Sequence, residues 1–344
     1  VALACTSSVC GTGVFAQTRP GGFGANATPS ELSASEIPCD FEITQRNMSF
    51  DQFQGYIDSI QDLSGDGKKT LCLPDDFVSW NNTAGAGQPA RTLEINDDNV
   101  VIRAAVRDGS IPTIRKSHTG GGGSQQLLRV RGENVILDQI RFLYEGDRSA
   151  GTQSVIEVSG SLSLLKDVEF AGTWTGTDAD QLGVAFTAFE LFSGARINRV
   201  LDTNINLLND PSHGHSHGFY LNAGSSIGEI SGNSVTSRGV FTNGDNTTAI
   251  YAEGAHIGDL TDITIQFRGR AIELHQSEVG TLGASRIRLN QQAGSALKIL
   301  EGSSIQAAID SDIQSCDGFE IDSSSSLGAM SGVNATRTSG CPAS

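Results

Sequence analysis

Three of the six histidines lie within five residues, at His213, His215 and His217. They belong to the segment NDPSHGHSHG, residues 209–218, which precedes a predicted strand. Imidazole exchanges a proton near neutral pH, so one of these rings is suited to acid–base catalysis, with Asp210 to orient it. In an extended segment the His-x-His-x-His alternation would instead set the rings on one side, as a metal site requires. A solvated loop without a role is the third interpretation, and we favour acid–base catalysis.

The elements that must hold these histidines are short strands in a repeat. GFYLNAGSSIGEISGNSVTSRG and AIYAEGAHIGDLTDITIQFRGR are consecutive copies, and three further copies follow them. The period is about 22 to 25 residues, with three apolar pulses per copy that alternate in and out, as in β-solenoids. A single copy cannot bury its apolar side, but stacked copies can. The sequence therefore predicts an all-β fold, a right-handed parallel β-helix.

The N-terminal part predicts a cap on this solenoid. Residues 48–63 carry apolar side chains at helical spacing, and Ser49 with Gln52 forms a capping box. We predict an amphipathic capping helix at 48–63, preceded by an extended, disulfide-tied segment at 1–47 and followed by β-helix coils at 68–344. The whole chain is then a single domain.

Aligning the copies on their inward apolar pairs predicts two outward columns. The first column contains Arg129, Glu157, Glu190, Tyr220, Tyr251, Glu273 and Lys298. The second column contains Arg131, Ser159, Phe192, Asn222, Glu253, His275 and Leu300. Strands of neighbouring coils lie about 4.8 Å apart, so the columns form a strip of sugar-polymer dimensions. Any β-helix needs polar outward residues for solvation, so this interpretation stays open for each single residue.

Copy lengths add a second indication for the middle of the strip. Equivalent inward residues of successive copies are about 30 residues apart from Leu128 to Ile250 and fewer residues apart afterwards. The shortest copies have about 22 residues. The additional residues must be turn insertions, which are common at binding sites.

The net charge limits which partners the protein can bind, and the cysteines indicate the compartment in which it works. The net charge of −16 repels phosphate backbones and anionic membranes, so we predict neither nucleic acid nor a membrane as a partner. No apolar stretch is long enough to span a bilayer, and the chain opens at Val1 as a processed secreted protein would. We predict a secreted or periplasmic protein with three disulfides, Cys5–Cys10, Cys39–Cys72 and Cys316–Cys341.

KKTLCLPDDFV at 68–78, DNVVIRAAVRDGSIPTI and ENVILDQIRF resemble the entry into the pectin-lyase-like β-helix superfamily of polysaccharide lyases and alginate epimerases. The segment Asp210-Pro211-Ser212-His213 is similar to the Asp-Pro-His signature of mannuronan C5-epimerases, with Ser212 intervening. The resemblance covers most of the chain and is nearest to bacterial lyases of biofilm matrix polysaccharide. It implies an acidic, uronate-containing polysaccharide as substrate.

β-Elimination on such a sugar needs a base, an acid and a group that neutralises the carboxylate. We predict one of His213, His215 and His217 as the base and Tyr220 or Tyr251 as the acid, with no cofactor and no indicated calcium ion. Carboxylate neutralisation and substrate binding are assigned to Arg238, Arg268 and Arg270 in turns after the strands, with Asn222 assisting. Further substrate contacts are assigned to Arg129, Glu190, Glu253, Glu273, His275 and Lys298.

Two other functions remain open. A glycoside hydrolase of the same fold would use carboxylates, for which Glu190, Glu253 and Glu273 are available. A non-catalytic carbohydrate-binding or adhesin solenoid would bind the polymer without shortening it. The sequence leaves the oligomeric state open between monomer and homotrimer.

Overall fold

The computed structural model of the protein describes residues 37–82, 91–106, 109–118, 126–146, 153–174, 185–208, 215–238, 247–267, 269–289 and 295–337. Within these ranges the chain forms three long parallel sheets and one α-helix. Successive strands enter sheet A, sheet B and sheet C in turn, so each turn between Lys69 and Ile321 adds one strand to each sheet. The fold is the predicted right-handed parallel β-helix.

The strands of each sheet are stacked in chain order. Sheet A contains β1 (Phe41–Glu42), β3 (Lys69–Leu73), β6 (Val100–Ala104), β9 (Val135–Asp138), β12 (Ser161–Lys166), β15 (Arg196–Leu201), β18 (Ser226–Ser231), β21 (His256–Thr261), β24 (Glu278–Gly283), β27 (Ser304–Ile309) and β30 (Ser326–Ser331). Sheet B contains β2 (Asn47–Ser49), β4 (Val78–Asn82), β7 (Thr113–His118), β10 (Arg141–Gly146), β13 (Glu169–Trp174), β16 (Asn204–Leu208), β19 (Ser234–Arg238), β22 (Thr264–Phe267), β25 (Arg286–Leu289), β28 (Asp312–Ser315) and β31 (Asn334–Arg337). Sheet C contains β5 (Leu93–Ile95), β8 (Leu128–Val130), β11 (Gln153–Val158), β14 (Ala185–Leu191), β17 (His215–Leu221), β20 (Thr248–Glu253), β23 (Arg270–His275), β26 (Leu297–Leu300) and β29 (Phe319–Ile321).

Equivalent apolar residues stack on one another inside the solenoid. In sheet C, Ile156 is in register with Phe189, which is in register with Phe219 and then Ile250, and all four are buried. The rings of Phe189 and Phe219 stack with centroids 5.4 Å apart. Complete burial of such a side chain stabilises the fold by about 1.5 to 3 kcal/mol. This repeated burial fixes the register, since a slip of one residue would turn the apolar side chains to solvent.

The corner between sheets A and B is short and regular. Asp202, Asp262 and Asp310 follow strands of sheet A with φ of 48°, 49° and 48°. The short Asp side chain tolerates this left-handed conformation, which turns the chain within one residue. Gln139, Gly232, Ala284 and Gly332 take the same left-handed conformation on other rungs, so the corner has one geometry although its residue varies.

The long insertions fall at a different corner, between each strand of sheet B and the next strand of sheet C. Six residues separate β16 from β17, at 209–214, and nine separate β19 from β20, at 239–247. Sheet C is thus the face whose strands follow the insertions, and it is also the face that carries the predicted strip. Binding sites are commonly built where loops adjoin a rigid scaffold.

The capping helix, α1, spans Phe50–Ser59 and is shorter than the predicted 48–63. The predicted capping box of Ser49 and Gln52 is present. The helix starts later than predicted because residues Asn47–Ser49 pair with β4 as a strand. It ends earlier because the backbone turns extended at Ile60.

Helix α1 closes the N-terminal end of sheet C. The side-chain amide of Gln54 donates to the carbonyl of Glu94 at 2.8 Å and accepts from the amide of Glu94 at 2.8 Å. These two bonds replace the strand that would otherwise pair with the edge of β5. Phe53 packs on Phe77 with ring centroids 5.2 Å apart, so the helix also covers the apolar core.

The disulfide Cys39–Cys72 is present, as predicted, and ties the segment before β1 to β3. Cys316 is also disulfide-bonded. Cys5, Cys10 and Cys341 lie outside the described residues, so the pairings Cys5–Cys10 and Cys316–Cys341 stay predictions. Among the described residues, no helix combines the length and the apolar character needed to cross a membrane.

Lys116 is a charged residue within the core. It lies within β7 on the inward side of the strand and is 0% exposed. Its ammonium donates to the carbonyls of Arg91 and Gln126 at 2.9 and 2.5 Å. Burial lowers the pKa of Lys116 to about 7. Because the unfolded chain has the ordinary, higher pKa, it binds more protons than the folded protein between pH 7 and 10.

We therefore expect the stability gap between the wild type and Lys116→Met to change with pH. The wild type should gain about 2 kcal/mol relative to the variant between pH 7 and pH 9, since only the wild type loses the unfavourable buried charge. Urea denaturation at both pH values measures this gap. Lys69→Met is the control, because Lys69 is a partly exposed partner of Asp97. A gap that stays constant with pH would show that Lys116 does not titrate in this range.

Candidate functional site

The first predicted outward column exists and is longer than predicted. Its residues are in register on consecutive rungs of sheet C, and we call them the sheet C strip: Glu94, Arg129, Glu157, Glu190, Tyr220, Tyr251, Glu273, Lys298 and Glu320. The second column is in register from Glu253 through His275 to Leu300. The strip extends along the solenoid, and its composition changes from one end to the other.

The N-terminal end of the sheet C strip is a ladder of ion pairs. Arg129 donates to Glu157 at 2.8 Å and to Glu94 at 3.2 Å. The hydrogen bond with Glu157 is the main reason why the pKa of Arg129 is raised above its ordinary value, although partial burial opposes it. Arg129 was predicted to bind substrate, but in this structure its guanidinium already holds two carboxylates.

A second charge cluster surrounds Glu273, which is 5% exposed. Its carboxylate lies 2.7 Å from Arg270, 3.1 Å from His275 and 3.4 Å from Lys298. Burial would raise the pKa of Glu273, but the hydrogen bond from His275 and the charges of Arg270 and Lys298 lower it below its ordinary value. The predicted turn position of Arg270 is wrong, because Arg270 is the first residue of β23. Its guanidinium donates to Glu273, three residues further along the same strand.

Between these two clusters lie the stacked rings of Tyr220 and Tyr251. Their centroids are 4.8 Å apart and their planes differ by 12°. The spacing equals the distance between adjacent strands, so the rings stack because their Cα atoms are partners across β17 and β20. Because each ring covers a face of the other, the phenol groups rather than the ring faces are the parts suited to chemistry.

Both phenols are held in the protonated form. Burial raises the pKa of Tyr220, as do the charges of Glu253 and Glu190, and the phenol hydrogen-bonds to Glu253. Burial also raises the pKa of Tyr251, with further contributions from Tyr220 and Glu253. At neutral pH each tyrosine can therefore give a proton, and neither is suited to take one.

His217 lies directly against this pair. Its ring centroid is 5.3 Å from that of Tyr220 and 5.4 Å from that of Tyr251. The expectation that His217 belongs to a surface loop is wrong, because β17 begins at His215 and His217 is 6% exposed. An imidazole and two phenols thus share one position on sheet C.

A bend at Gly218 brings His217 to the same face as Tyr220. Strict alternation would turn His217 inward with Phe219, but Gly218 takes an additional inward position. A Cβ atom at Gly218 would lie 2.7 Å from the carbonyl oxygen of Ala249 and 2.9 Å from a methyl group of Val235. Small buried residues occupy this position on neighbouring rungs, namely Ala188, Ala249, Ala271 and Ala296. This column of small residues is the sequence signal that could have identified the bend.

Two carboxylates flank Tyr220. Glu190 accepts from Ser154 and from the side-chain amide of Asn222, the latter at 3.0 Å. Asn222 also donates to the carbonyl of Leu191, so it holds Glu190 rather than presenting a free amide. In the part of the chain that the structure describes, no Lys, Arg or His lies within ion-pair distance of Glu190 or Glu253.

His275 joins the tyrosine pair to the Glu273 cluster. Its ring centroid lies 5.5 Å from that of Tyr251, and its second nitrogen lies 3.3 Å from Glu301. Because both ring nitrogens face carboxylates, His275 is held in one orientation. It supports the tyrosine pair from the rung that follows.

The remaining predicted residues are not covered. Asp210, His213 and Arg268 lie outside the described residues, as do the side chains of His215 and Arg238. The predicted loop position of His215 and turn position of Arg238 are wrong, because their backbones belong to β17 and β19. Among the described residues, no group of three His, Cys, Asp or Glu side chains is arranged to hold a metal ion.

Comparison with known proteins does not assign the chain to a family. No protein-family model matches the chain, and no curated protein is similar to it in sequence.

Proposed function

We propose that the protein is a secreted polysaccharide lyase of the pectin-lyase-like type, which cleaves a uronate-containing polymer by β-elimination at Tyr220 and Tyr251. The contact of His217 with both stacked tyrosines carries this proposal. General acid–base chemistry needs a proton acceptor and a protonated donor within reach of one sugar. The raised pKa values keep both phenols protonated at neutral pH, and they also make each phenol a weaker acid than free tyrosine.

The reaction divides between the two residue types. His217 takes the C5 proton of the uronate, the C4–O4 bond breaks as the C4=C5 double bond forms, and a tyrosine protonates the departing O4. Proton exchange with water then restores the neutral imidazole and the phenol. Arg238 and Arg268 are the proposed partners of the uronate carboxylate, since Arg270 is bound to Glu273.

The surroundings support an extended substrate. The sheet C strip crosses nine consecutive strands, about 38 Å, which is enough for several sugar units. The disulfide Cys39–Cys72 is typical of proteins from oxidising compartments, where matrix polysaccharides of biofilms are found.

Glycoside hydrolysis is the second candidate, because Glu190 and Glu253 both interact with Tyr220. Hydrolases use two carboxyl groups, one as acid and one as base or nucleophile. The carboxylates beside Tyr220 are the pair that such a mechanism would need.

One assay separates these candidates. The protein is incubated with polygalacturonate, alginate and a deacetylated uronate copolymer, and two signals are followed: ultraviolet absorbance of the unsaturated product and new reducing ends. A lyase produces both signals together, and a hydrolase produces reducing ends alone. Binding without either signal would leave a carbohydrate-binding solenoid and would contradict the proposed activity.

A further inference from the structure

A groove lies around the corner from the sheet C strip, on sheet A. Its volume is about 770 Å³, which is within the usual range for ligand sites. The groove begins at the turns that follow the strip, with Gly224 two residues after Asn222 and Gly254 directly after Glu253. It is thus adjacent to the proposed active site but faces another side of the molecule.

The groove has the length of an oligosaccharide. Its outer wall takes one residue from each of five consecutive strands of sheet A: Arg196, Ser226, His256, Glu278 and Ser304. Five strands span about 19 Å at the usual spacing. The wall is formed by hydroxyl, imidazole, carboxylate and guanidinium groups, which suit a hydroxyl-rich ligand better than an apolar one.

One residue that lines the groove is a glycine packed tightly on the preceding rung. A Cβ atom at Gly228 would lie 2.5 Å from the carbonyl oxygen of Asn198, so no side chain fits there without moving the backbone. Gly228 is exposed, so a bound chain meets backbone rather than a side chain at this position.

Arg196 gives one end of the groove a positive charge, and Glu278, 3.7 Å from His256, lies on a later rung of the same wall. It is exposed at one end of the groove, and in the described part of the chain it has no carboxylate within ion-pair distance. Arg199, three residues later on the same strand, is instead bound to Glu229 at 2.9 Å. A guanidinium available in a groove is suited to a carboxylate, which it can bind through two hydrogen bonds.

We propose that the sheet A groove is an accessory binding site for a second stretch of carboxylate-bearing polysaccharide, anchored by Arg196. The identity of the polymer rests on the proposed function. The site would hold a long chain close to Tyr220 while the sheet C strip acts on another part of it. Its effect is expected on affinity for long polymers.

Affinity electrophoresis through gels that contain polygalacturonate or alginate tests this site. Arg196→Ala removes the guanidinium, and Ser226→Trp fills the groove. Each variant is expected to bind about tenfold more weakly, which corresponds to about 1.4 kcal/mol. Arg199→Gln is the matched control on the same strand and should migrate as the wild type does. Thermal unfolding of each variant verifies that it is folded.

The outcomes separate this site from the proposed activity. If both groove variants are retarded by the polymers as strongly as the wild type, the accessory site is wrong, whatever the activity. If the wild type binds through Arg196 but yields no unsaturated product, the lyase proposal is wrong and the groove remains. If the wild type binds neither polymer, the accessory site is also contradicted.

Discussion

His217→Ala should lower the rate of unsaturated product formation by about 10² to 10⁴-fold, which is the usual contribution of a general base. His217 is the imidazole in contact with both stacked tyrosines. Because the pKa of each phenol is raised, neither tyrosine can replace it as a proton acceptor at neutral pH. Initial rates on the polymer that the wild type cleaves, together with circular dichroism of the variant, measure this effect.

The tyrosines supply the matched comparison. Tyr220→Phe and Tyr251→Phe keep the stacked rings and remove one hydroxyl each, so the variant that loses turnover identifies the acid. Tyr56→Phe on helix α1, at the N-terminal end of the solenoid, should keep the wild-type rate. If His217→Ala and both site tyrosine variants turn over polymer as the wild type does, the assignment of the site is wrong.

Glu273→Gln should destabilise the folded protein by about 3 to 5 kcal/mol, which is typical when one partner of a buried ion cluster is removed. The variant leaves Arg270, His275 and Lys298 facing each other without the carboxylate that joins them. Chemical denaturation at pH 7 measures the loss. Glu229→Gln is the control: Glu229 pairs with Arg199 at a more exposed position, so a loss below about 1 kcal/mol is expected.

The stability difference between the wild type and Glu273→Gln should also depend on pH. The folded pKa of Glu273 is below its ordinary value of about 4.5, so its contribution to stability is present above that pH and is lost as the pH falls through the folded pKa. The difference between the wild type and Glu273→Gln should therefore shrink on acidification below pH 4.5. A difference that is equal at pH 7 and pH 3 would contradict the role of the charged carboxylate.

The sequence was sufficient for the fold and for the strip because both depend on a repeated pattern. Inward pairs such as Phe219/Leu221 and Ile250/Ala252 recur on every rung, and the residue between them must face outward. The same rule applied to Leu93/Ile95 and Phe319/Ile321 would have added Glu94 and Glu320, which pair in register at the two ends. Burial of the inward side chains fixes the register of adjacent strands, and this register decides which outward side chains are neighbours.

The local chemistry was harder to predict because it depends on departures from the pattern. His217 reaches the tyrosines through the bend at Gly218, which the alternation rule does not include. The ion pairs of Arg129 and Arg270 depend on which rotamer reaches which carboxylate, so residues that seemed available for substrate are bound to protein. The start of helix α1 was misplaced because Asn47–Ser49 could join either the helix or sheet B.

A crystal structure of His217→Asn with a bound uronate oligosaccharide tests the proposed site most directly. We expect a glycosidic oxygen within hydrogen-bond distance of the Tyr220 or Tyr251 hydroxyl, and we expect the uronate that carries this oxygen on C4 to direct its C5 hydrogen at position 217. An oligosaccharide that lies along sheet C with its glycosidic bonds remote from both tyrosines would contradict it.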